Sequence, residues 1–181
     1  NSISNNDKLT NAIVLHQQGK IDDAEIIYRD ISNKDRANTN ALLMLAVIKF
    51  QRTNNLAAIK LYNRADVGSQ YNISLYYNSG QAHMNLALYN EAIDDLTKVI
   101  FLKSDYAEAY YKRGNCLASL GKFSVALADY KTAVKINPDM AGCYNNMGNT
   151  LQSLKRYEDA IGCYKRAIEL NNEFIDAYYN L

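Results

Sequence analysis

The sequence predicts an all-α solenoid built from helix–turn–helix repeats, and three observations lead to this prediction. Residues of similar type recur every 34 positions from Asn5 onward, and a period of this length is typical of solenoid proteins. Short breaks containing glycine or polar residues separate the helical segments within a period. Alanine occupies the twentieth place of all five periods, at Ala24, Ala58, Ala92, Ala126 and Ala160.

The period divides the chain into five full repeats and the beginning of a sixth, which we treat as a single array over residues 1–181. We call the position of a residue within its repeat its place. The repeats span residues 5–38, 39–72, 73–106, 107–140 and 141–174, and the partial sixth repeat spans residues 175–181. Because the sixth repeat stops within a helix, we expect the natural protein to continue beyond Leu181.

Small and large side chains alternate between places in a way that predicts how the two helices of a repeat pack. Small residues at the eighth and twentieth places allow two helices to approach closely, because a bulky side chain there would push the backbones apart. Large residues at the twenty-fourth place fill the space beside that contact. The eighth place holds Ala12, Ala46, Gly80, Gly114 and Gly148, and the twenty-fourth holds Tyr28, Tyr62, Leu96, Tyr130 and Tyr164.

The helix boundaries follow from the breaks. Gln18–Lys20 and Leu120–Lys122 are polar, glycine-centred segments that predict the end of a first helix. The clearest predicted helices are near 107–120 and 123–136. Asp105 lies at a repeat junction, where we expect it to cap the first helix of the fourth repeat. Pro138 lies at the following junction, where its missing N–H costs little.

Repeats one and two depart from the pattern at the ends of their second helices. Ser32–Lys34 and Asp66–Gly68 replace the usual apolar residues there. We therefore expect the second helices of these two repeats to be shorter than the others.

Composition argues against several classes of function. Twenty Lys and Arg balance 19 Asp and Glu, for a net charge of +1, whereas nucleic-acid binding through phosphates needs a basic surface. No apolar run approaches the ~18 residues that a membrane-spanning helix needs. The three cysteines are scattered, which is typical of reduced thiols in a cytoplasmic protein.

Sequence motifs of catalysis are absent. The chain contains no Gly-x-x-x-x-Gly-Lys, Gly-x-Gly-x-x-Gly or His-Glu-x-x-His motif. His16 and His83 belong to different repeats, so they are too far apart to share a metal ion. We therefore expect no enzymatic activity, no cofactor and no metal site.

The repeats resemble the tetratricopeptide repeat (TPR) family. The segments that carry the resemblance are Tyr110–Asn115, Leu120–Phe123 and Ala126–Leu127 of the fourth repeat, followed by Tyr130, Ala133 and Pro138, and Tyr157–Ile161 of the fifth. The resemblance implies a right-handed superhelix in which the first helices line a concave groove. It also implies a protein-interaction module whose partner is a protein or an extended peptide.

Polar residues dominate the predicted inner face from the third repeat onward. An asparagine amide carries a donor and an acceptor and can pair with a peptide main chain, and tyrosine adds contact area with a hydroxyl at its tip. The candidate peptide-binding residues are Tyr77, Asn78, Gln81, Tyr111, Lys112, Asn115, Asn145, Asn146, Asn149 and Asn180.

The same face is apolar in the second repeat, at Leu43, Met44, Val47 and Phe50. These residues predict an interface, since exposed apolar patches usually mark one. They either anchor a ligand or are buried against an N-terminal extension or a second copy of the chain. A homo-oligomer is predicted through repeats one and two or through the incomplete C-terminal end.

The pattern of the inner face bears on two narrower functions. TPR proteins that clamp chaperone tails use cations to hold a terminal carboxylate, and this chain lacks those cations at the matching places, so we exclude that function. The asparagines along the inner face resemble the TPR arm of O-linked N-acetylglucosamine transferases. Leu15–Tyr28 resembles the opening of bacterial TPR arms that precede glycosyl- or sulfotransferase domains. The predicted function is therefore a non-catalytic peptide-binding module, with a transferase arm or a self-assembling scaffold as alternatives.

Overall fold

A computed structural model describes residues 4–66, 72–172 and 175–180, and within these ranges the chain forms eleven α-helices and no β-strand. The first helix of each repeat begins 34 residues after the previous one, at residues 5, 39, 73, 107, 141 and 175. The helices are α1 (Asn5–Gln17), α2 (Ile21–Lys34), α3 (Thr39–Gln51), α4 (Asn55–Asp66), α5 (Ile73–Asn85), α6 (Tyr89–Leu102), α7 (Ala107–Ser119), α8 (Phe123–Ile136), α9 (Ala141–Ser153), α10 (Tyr157–Leu170) and α11 (Ile175–Asn180).

The helices group into two compact units. Unit 1, Asn1–Leu86, contains α1 to α5, and unit 2, Ala87–Leu181, contains α6 to α11. In unit 1 each helix packs against the next one along the chain, and the same holds in unit 2. The arrangement of residues 1–181 as one array stays a prediction.

The predicted small and large places form the core. The alanines of the twentieth place are at most 3% exposed, and the four tyrosines of the twenty-fourth place are at most 1% exposed. Each tyrosine lies on the second helix of its repeat; Tyr28 packs in one core cluster with Ala12, and the rings of Tyr130 and Tyr164 lie against Gly114 and Gly148 of the first helices. This confirms the packing expected from the sequence, because only a small residue leaves room for an aromatic ring between two neighbouring helices.

A three-residue turn joins the two helices of each pair, and its middle residue has a left-handed backbone. Gly19 (φ 77°) and Gly121 (φ 72°) are the glycines of the predicted breaks. Glycine adopts this conformation without the steric cost that a Cβ brings. The same turn position is occupied by Thr53, Ala87 and Lys155, also with positive φ.

The predicted shortening of the second helices is wrong for repeat one and is not tested for repeat two. The second helix of repeat one is not shortened, since α2 has 14 residues, as many as α6, α8 and α10. Its polar end is accommodated because the Ser32 hydroxyl donates to the Arg29 carbonyl within the helix. In repeat two, α4 ends at Asp66, and Val67 and Gly68 lie outside the described residues.

Asp105 does not cap the first helix of the fourth repeat. The N-cap residue of α7 is Tyr106, which makes no side-chain capping bond, so Asp105 stands one residue too early. Side-chain caps occur instead in unit 1, where the oxygens of Ser4, Asn38 and Asn72 accept from backbone N–H groups of α1, α3 and α5.

No helix among residues 4–66, 72–172 and 175–180 is long and apolar enough to cross a membrane.

A buried carboxylate ties α2 to α3 in unit 1. The Glu25 side chain is 7% exposed, and its oxygens accept from Arg29 and Arg52, both at 2.6 Å, and from Lys49 at 2.7 Å. The hydrogen bond from Lys49 is the main reason why the pKa of the Glu25 carboxyl lies below its ordinary value. Arg52 also pairs with Asp22, whose side chain is 88% exposed.

We predict that Glu25→Gln lowers the free energy of unfolding by about 2 kcal/mol at neutral pH, because it leaves three cations beside a neutral amide. Since the folded-state pKa of Glu25 is depressed, its contribution is present above the unfolded-state pKa, about 4.3, and is lost as the pH falls through the folded-state value. The gap between the two proteins in urea-unfolding experiments should therefore close in acid. Asp22→Asn, at the exposed end of the cluster, is the control and should cost less than about 1 kcal/mol. An equal effect of the two substitutions would contradict this assignment.

Candidate functional site

Hydrogen bonds connect the predicted polar residues of unit 2 from one first helix to the next. The Asn115 Oδ1 atom on α7 accepts from the Tyr130 hydroxyl on α8 at 2.8 Å and from Asn146 Nδ2 on α9 at 2.9 Å. We call Tyr130, Asn115 and Asn146 the first triad. It links three helices through one carbonyl oxygen.

The same arrangement recurs one repeat later. The Asn149 Oδ1 atom on α9 accepts from the Tyr164 hydroxyl on α10 at 2.8 Å and from Asn180 Nδ2 on α11 at 3.1 Å. We call Tyr164, Asn149 and Asn180 the second triad. Each triad therefore contains the twenty-fourth-place tyrosine, the ninth-place asparagine, and the sixth-place asparagine of the following repeat.

Glycine at the eighth place lets the tyrosine reach its asparagine. A Cβ atom at Gly114 would lie 2.6 Å from Tyr130 Cε1 and 2.8 Å from its Cδ1, which is closer than two carbon atoms can pack. Gly148 stands in the same relation to Tyr164. Both tyrosine rings thus lie directly against the first helix of their repeat. The hydroxyl of each ring lies beside the asparagine that follows the glycine, Asn115 or Asn149.

Tyr111 supports the first triad from the side. Its hydroxyl accepts from Asn146 Nδ2 at 3.2 Å, and its ring lies 6.2 Å from that of Tyr130, centroid to centroid. Burial raises the pKa of the Tyr111 phenol, which stays protonated at neutral pH. Gly142 leaves space for the hydroxyl, since a Cβ there would lie 3.2 Å from it. Tyr111 is half-buried and helps to hold the Asn146 side chain in place. It also stays a candidate contact residue.

An open pocket of about 240 Å³ lies beside the first triad, between α7, α8 and α9. Ala118 and Phe123 contribute its apolar surface, and no charged side chain lines it. The complete lining is Asn115, Ala118, Ser119, Phe123, Tyr130, Asn146, Asn149, Thr150 and Ser153. The pocket is suited to an uncharged group, because a charge placed there would lose water without gaining a counter-ion.

Two other predicted residues of unit 2 are engaged elsewhere. The Lys112 side chain is 20% exposed and lies 3.6 Å from the carboxylate of Glu108. Asn145 is 5% exposed, and its Oδ1 atom accepts from Asn180 Nδ2 at 3.2 Å. The hydrogen bond makes Asn145 a link between α9 and α11, and its burial leaves little of the side chain for contact with a ligand.

The predicted residues of unit 1 are only partly accessible. Tyr77, Asn78 and Gln81 are half-buried on α5. In the apolar set, Leu43 is 7% exposed, whereas Met44, Val47 and Phe50 are half-buried. Met44 packs against the core formed by α1, α2 and α3. The role of these four residues as an interface stays a prediction.

In unit 1 the twenty-fourth place also holds tyrosines, but they do not form triads among the described residues. Tyr28 and Tyr62 are fully buried, and neither hydroxyl has a hydrogen-bond partner among the described residues. The reason is the ninth place, which holds Ile13 and Val47 here instead of asparagine. Their eighth place also holds alanine instead of glycine, at Ala12 and Ala46.

Family models match three consecutive repeats of the chain. Models described as "Tetratricopeptide repeat" match residues 73–106, 107–140 and 141–174, which together make up more than half of the chain. The chain belongs to the tetratricopeptide repeat family. No curated protein sequence matches it.

Solved structures of TPR proteins share this fold. Two crystal structures of MamA are each 25% identical in sequence to this chain. The match to the first has a TM-score of 0.84 and covers 90% of this chain and 95% of the MamA chain. The second has a TM-score of 0.86, with 98% and 96% covered. The crystal structure of YrrB, described as a TPR protein with an unusual peptide-binding site, is 20% identical, with a TM-score of 0.90 and coverage of 96% and 89%.

Sequence reasoning missed Tyr130, Tyr164 and Phe123 as parts of the site. The tyrosines were assigned to the core of the TPR fold, and Phe123 lies at the start of a second helix, away from the predicted inner face. A signal was present, because glycine at the eighth place, asparagine at the ninth and tyrosine at the twenty-fourth occur together in repeats four and five.

Because Tyr62 has an unpartnered hydroxyl and Tyr130 a bonded one, the same substitution should have opposite effects. Tyr62→Phe should raise the free energy of unfolding by about 1 kcal/mol, since a buried polar group without a partner is removed, and Tyr130→Phe should lower it by about 1 kcal/mol. Urea unfolding of both variants measures the difference. A loss of stability in Tyr62→Phe as large as in Tyr130→Phe would show that Tyr62 has a partner.

The close contact at Gly114 gives a second matched pair. Gly114→Ala should lower the free energy of unfolding by about 2 kcal/mol, because the methyl group collides with the Tyr130 ring. Gly162→Ala, within α10, meets no atom within 4 Å and should instead gain about 1 kcal/mol from helix propensity. Thermal and urea unfolding test the pair, and a stabilised Gly114→Ala protein would refute the contact.

Proposed function

We propose that this TPR protein is a non-catalytic module that binds an extended, locally uncharged peptide of a partner protein on the inner surface of unit 2. The contact surface consists of Tyr111, Asn115, Asn146, Asn149 and Asn180, together with the pocket beside the first triad. The single observation that carries the proposal is the pair of triads, which hold asparagine amides in place next to an open, charge-free pocket.

Preorganisation of the amides supports binding. A surface asparagine normally loses side-chain freedom when it contacts a ligand, and that loss opposes association. Here each ninth-place amide already has one fixed orientation through two hydrogen bonds, so less freedom remains to be lost. We still expect a modest affinity, roughly micromolar, because ordering a flexible peptide offsets much of the contact energy.

The chemistry of the remaining groups fits binding better than catalysis. Burial raises the pKa of Cys116 to about 11 and of Cys143 to about 12, and it also raises that of Cys163. These thiols are protonated at neutral pH and are therefore weak nucleophiles. Within the described ranges, no three His, Cys, Asp or Glu side chains come together in a way that suits a metal ion.

The similarity to YrrB adds support, since that protein has the same fold and is described as having a peptide-binding site. In unit 1, Tyr77, Asn78 and Gln81 occupy the same repeat places as residues of the unit 2 surface and remain proposed peptide contacts. The transferase-arm alternative depends on the sequence resemblance alone.

A charge placed in the pocket tests the proposal without disturbing the triads. A peptide is first selected on the wild-type protein from a phage-displayed library of random nonapeptides and then synthesised with a fluorescent label. Ser119→Arg places a cation and a long side chain in the pocket, so fluorescence anisotropy should show a dissociation constant at least about tenfold higher.

Ser124→Arg is the matched control, because Ser124 is exposed at the start of α8 and does not line the pocket. It should change the dissociation constant less than about twofold, a difference well below 1 kcal/mol. Equal binding by wild type, Ser119→Arg and Ser124→Arg would rule out this surface as the peptide site.

A further inference from the structure

The junction between α2 and α3 is charged, whereas the corresponding junctions of unit 2, α6–α7 and α8–α9, are apolar. In α3 the eleventh and fourteenth places hold Lys49 and Arg52, and both pair with Glu25 at the twenty-first place of α2. The residues at these places in unit 2 are leucine or isoleucine: Ile93, Leu117, Leu120, Leu127, Leu151 and Leu154. All of them except Leu120 belong to one core cluster or pack against it. Apolar side chains are therefore sufficient to pack a second helix against the next first helix in this chain.

Helix packing alone does not explain the charges at the α2–α3 junction. Removing ionised groups from water costs free energy, and a buried ion pair often stabilises a protein no better than apolar side chains of similar size. The cations also outnumber the carboxylates. Arg29, Lys49 and Arg52 surround Glu25, and the second carboxylate, that of Asp22, pairs only with Arg52 among the described residues. The junction therefore carries an excess of positive charge.

The arginines extend outward from the carboxylate that holds them. The Glu25 side chain is 7% exposed, whereas those of Arg29 and Arg52 are 61% and 43% exposed. Arg29 donates to Glu25, and Arg52 donates to Glu25 and to Asp22. A guanidinium group carries five N–H donors, so most donors of both arginines have no partner among the described residues. Because both groups are hydrogen-bonded to one carboxylate, their spacing is fixed before a ligand binds.

We propose that Arg29, Lys49 and Arg52 form a binding site for a phosphoryl group on unit 1, with Glu25 as the carboxylate that positions them. The planar guanidinium group matches two phosphate oxygens, and opposite charge strengthens these hydrogen bonds. The phosphoryl group comes either from free inorganic phosphate or from a phosphorylated side chain of a partner protein, because both offer the same anionic oxygens. The site uses no residue of the peptide surface proposed in unit 2, so the two proposals are independent.

Asp22 is an internal competitor for this site. Its carboxylate accepts a hydrogen bond from Arg52, but its side chain is 88% exposed. An exposed ion pair contributes little free energy. A phosphoryl group carries a larger negative charge than a carboxylate and can contact more than one of the cations. It therefore displaces the Asp22 carboxylate from Arg52.

Binding of inorganic phosphate to the full chain tests the site. Phosphorus NMR line widths give the dissociation constant at about pH 7.5 and constant ionic strength, and circular dichroism verifies that each variant is folded. Arg29→Gln and Arg52→Gln should each raise the dissociation constant at least about fivefold. Arg64→Gln is the control, because Arg64 is exposed on α4 and forms none of the ion pairs around Glu25. It should change the constant less than about twofold, and equal effects of the three substitutions would overturn the site.

Asp22→Asn should act in the opposite direction. It removes the competing carboxylate and keeps Glu25 and the three cations, so phosphate should bind about threefold more tightly. Asp35→Asn is the charge-matched control in unit 1, since the Asp35 side-chain oxygen accepts from the Ala37 N–H and an amide oxygen can do the same. It should change the dissociation constant less than about 1.5-fold. An equal gain in both variants would show that net charge alone attracts phosphate and would contradict the site.

Peptide competition identifies the source of the phosphoryl group. A degenerate mixture of dodecapeptides with one central phosphoserine, and the same mixture with serine, compete with inorganic phosphate for the protein. Phosphoserine peptides that bind at least about tenfold more tightly than inorganic phosphate indicate a phosphorylated partner, and weaker binding indicates free phosphate. Both results support the site if they depend on Arg29 and Arg52. Serine peptides that compete as well as phosphoserine peptides would overturn it.

Discussion

The contact between a second-helix tyrosine and the glycine opposite it on the first helix sets the positions of Asn115 and Asn149 in unit 2. Tyr130 and Tyr164 are almost fully buried, and each ring lies over a glycine that has no Cβ to hold it away. This close approach brings the phenol hydroxyl to the neighbouring asparagine. The orientation of the surface amides therefore depends on the packing of the core, because the same tyrosine ring takes part in both.

Unit 1 shows what happens when the combination is incomplete. Tyr28 and Tyr62 remain buried, so the packing role of the place is preserved with alanine opposite the ring. Their hydroxyls have no partner among the described residues, which costs free energy in an apolar interior. Unit 1 holds its helices together by other means, including the cations around the Glu25 carboxylate. The repeats thus share a fold but differ in the chemistry of their inner face.

The amides of the proposed contact surface also take part in hydrogen bonds inside the protein. Asn115 and Asn149 use their oxygens to join helices, and only what remains is available to a ligand. Tyr111 and Asn145 likewise contribute to the joints between helices. Amides that are held in this way lose little side-chain freedom when a ligand contacts them.

The sequence alone determined the repeat period, the starts of the first helices and the places of small and buried residues, because these depend on side-chain size and local turn chemistry. It also predicted that Asn115, Asn146, Asn149 and Asn180 lie on first helices of the repeats. It misjudged the length of α2 and the cap of α7, where single hydrogen bonds decide the boundary. Only the tertiary structure decided which helices the asparagine side chains join and that Asn145 is buried. The partners of Asn115 are 15 and 31 residues away along the chain, and a periodic pattern does not show which of its side chains meet, because those contacts depend on how the helices pack.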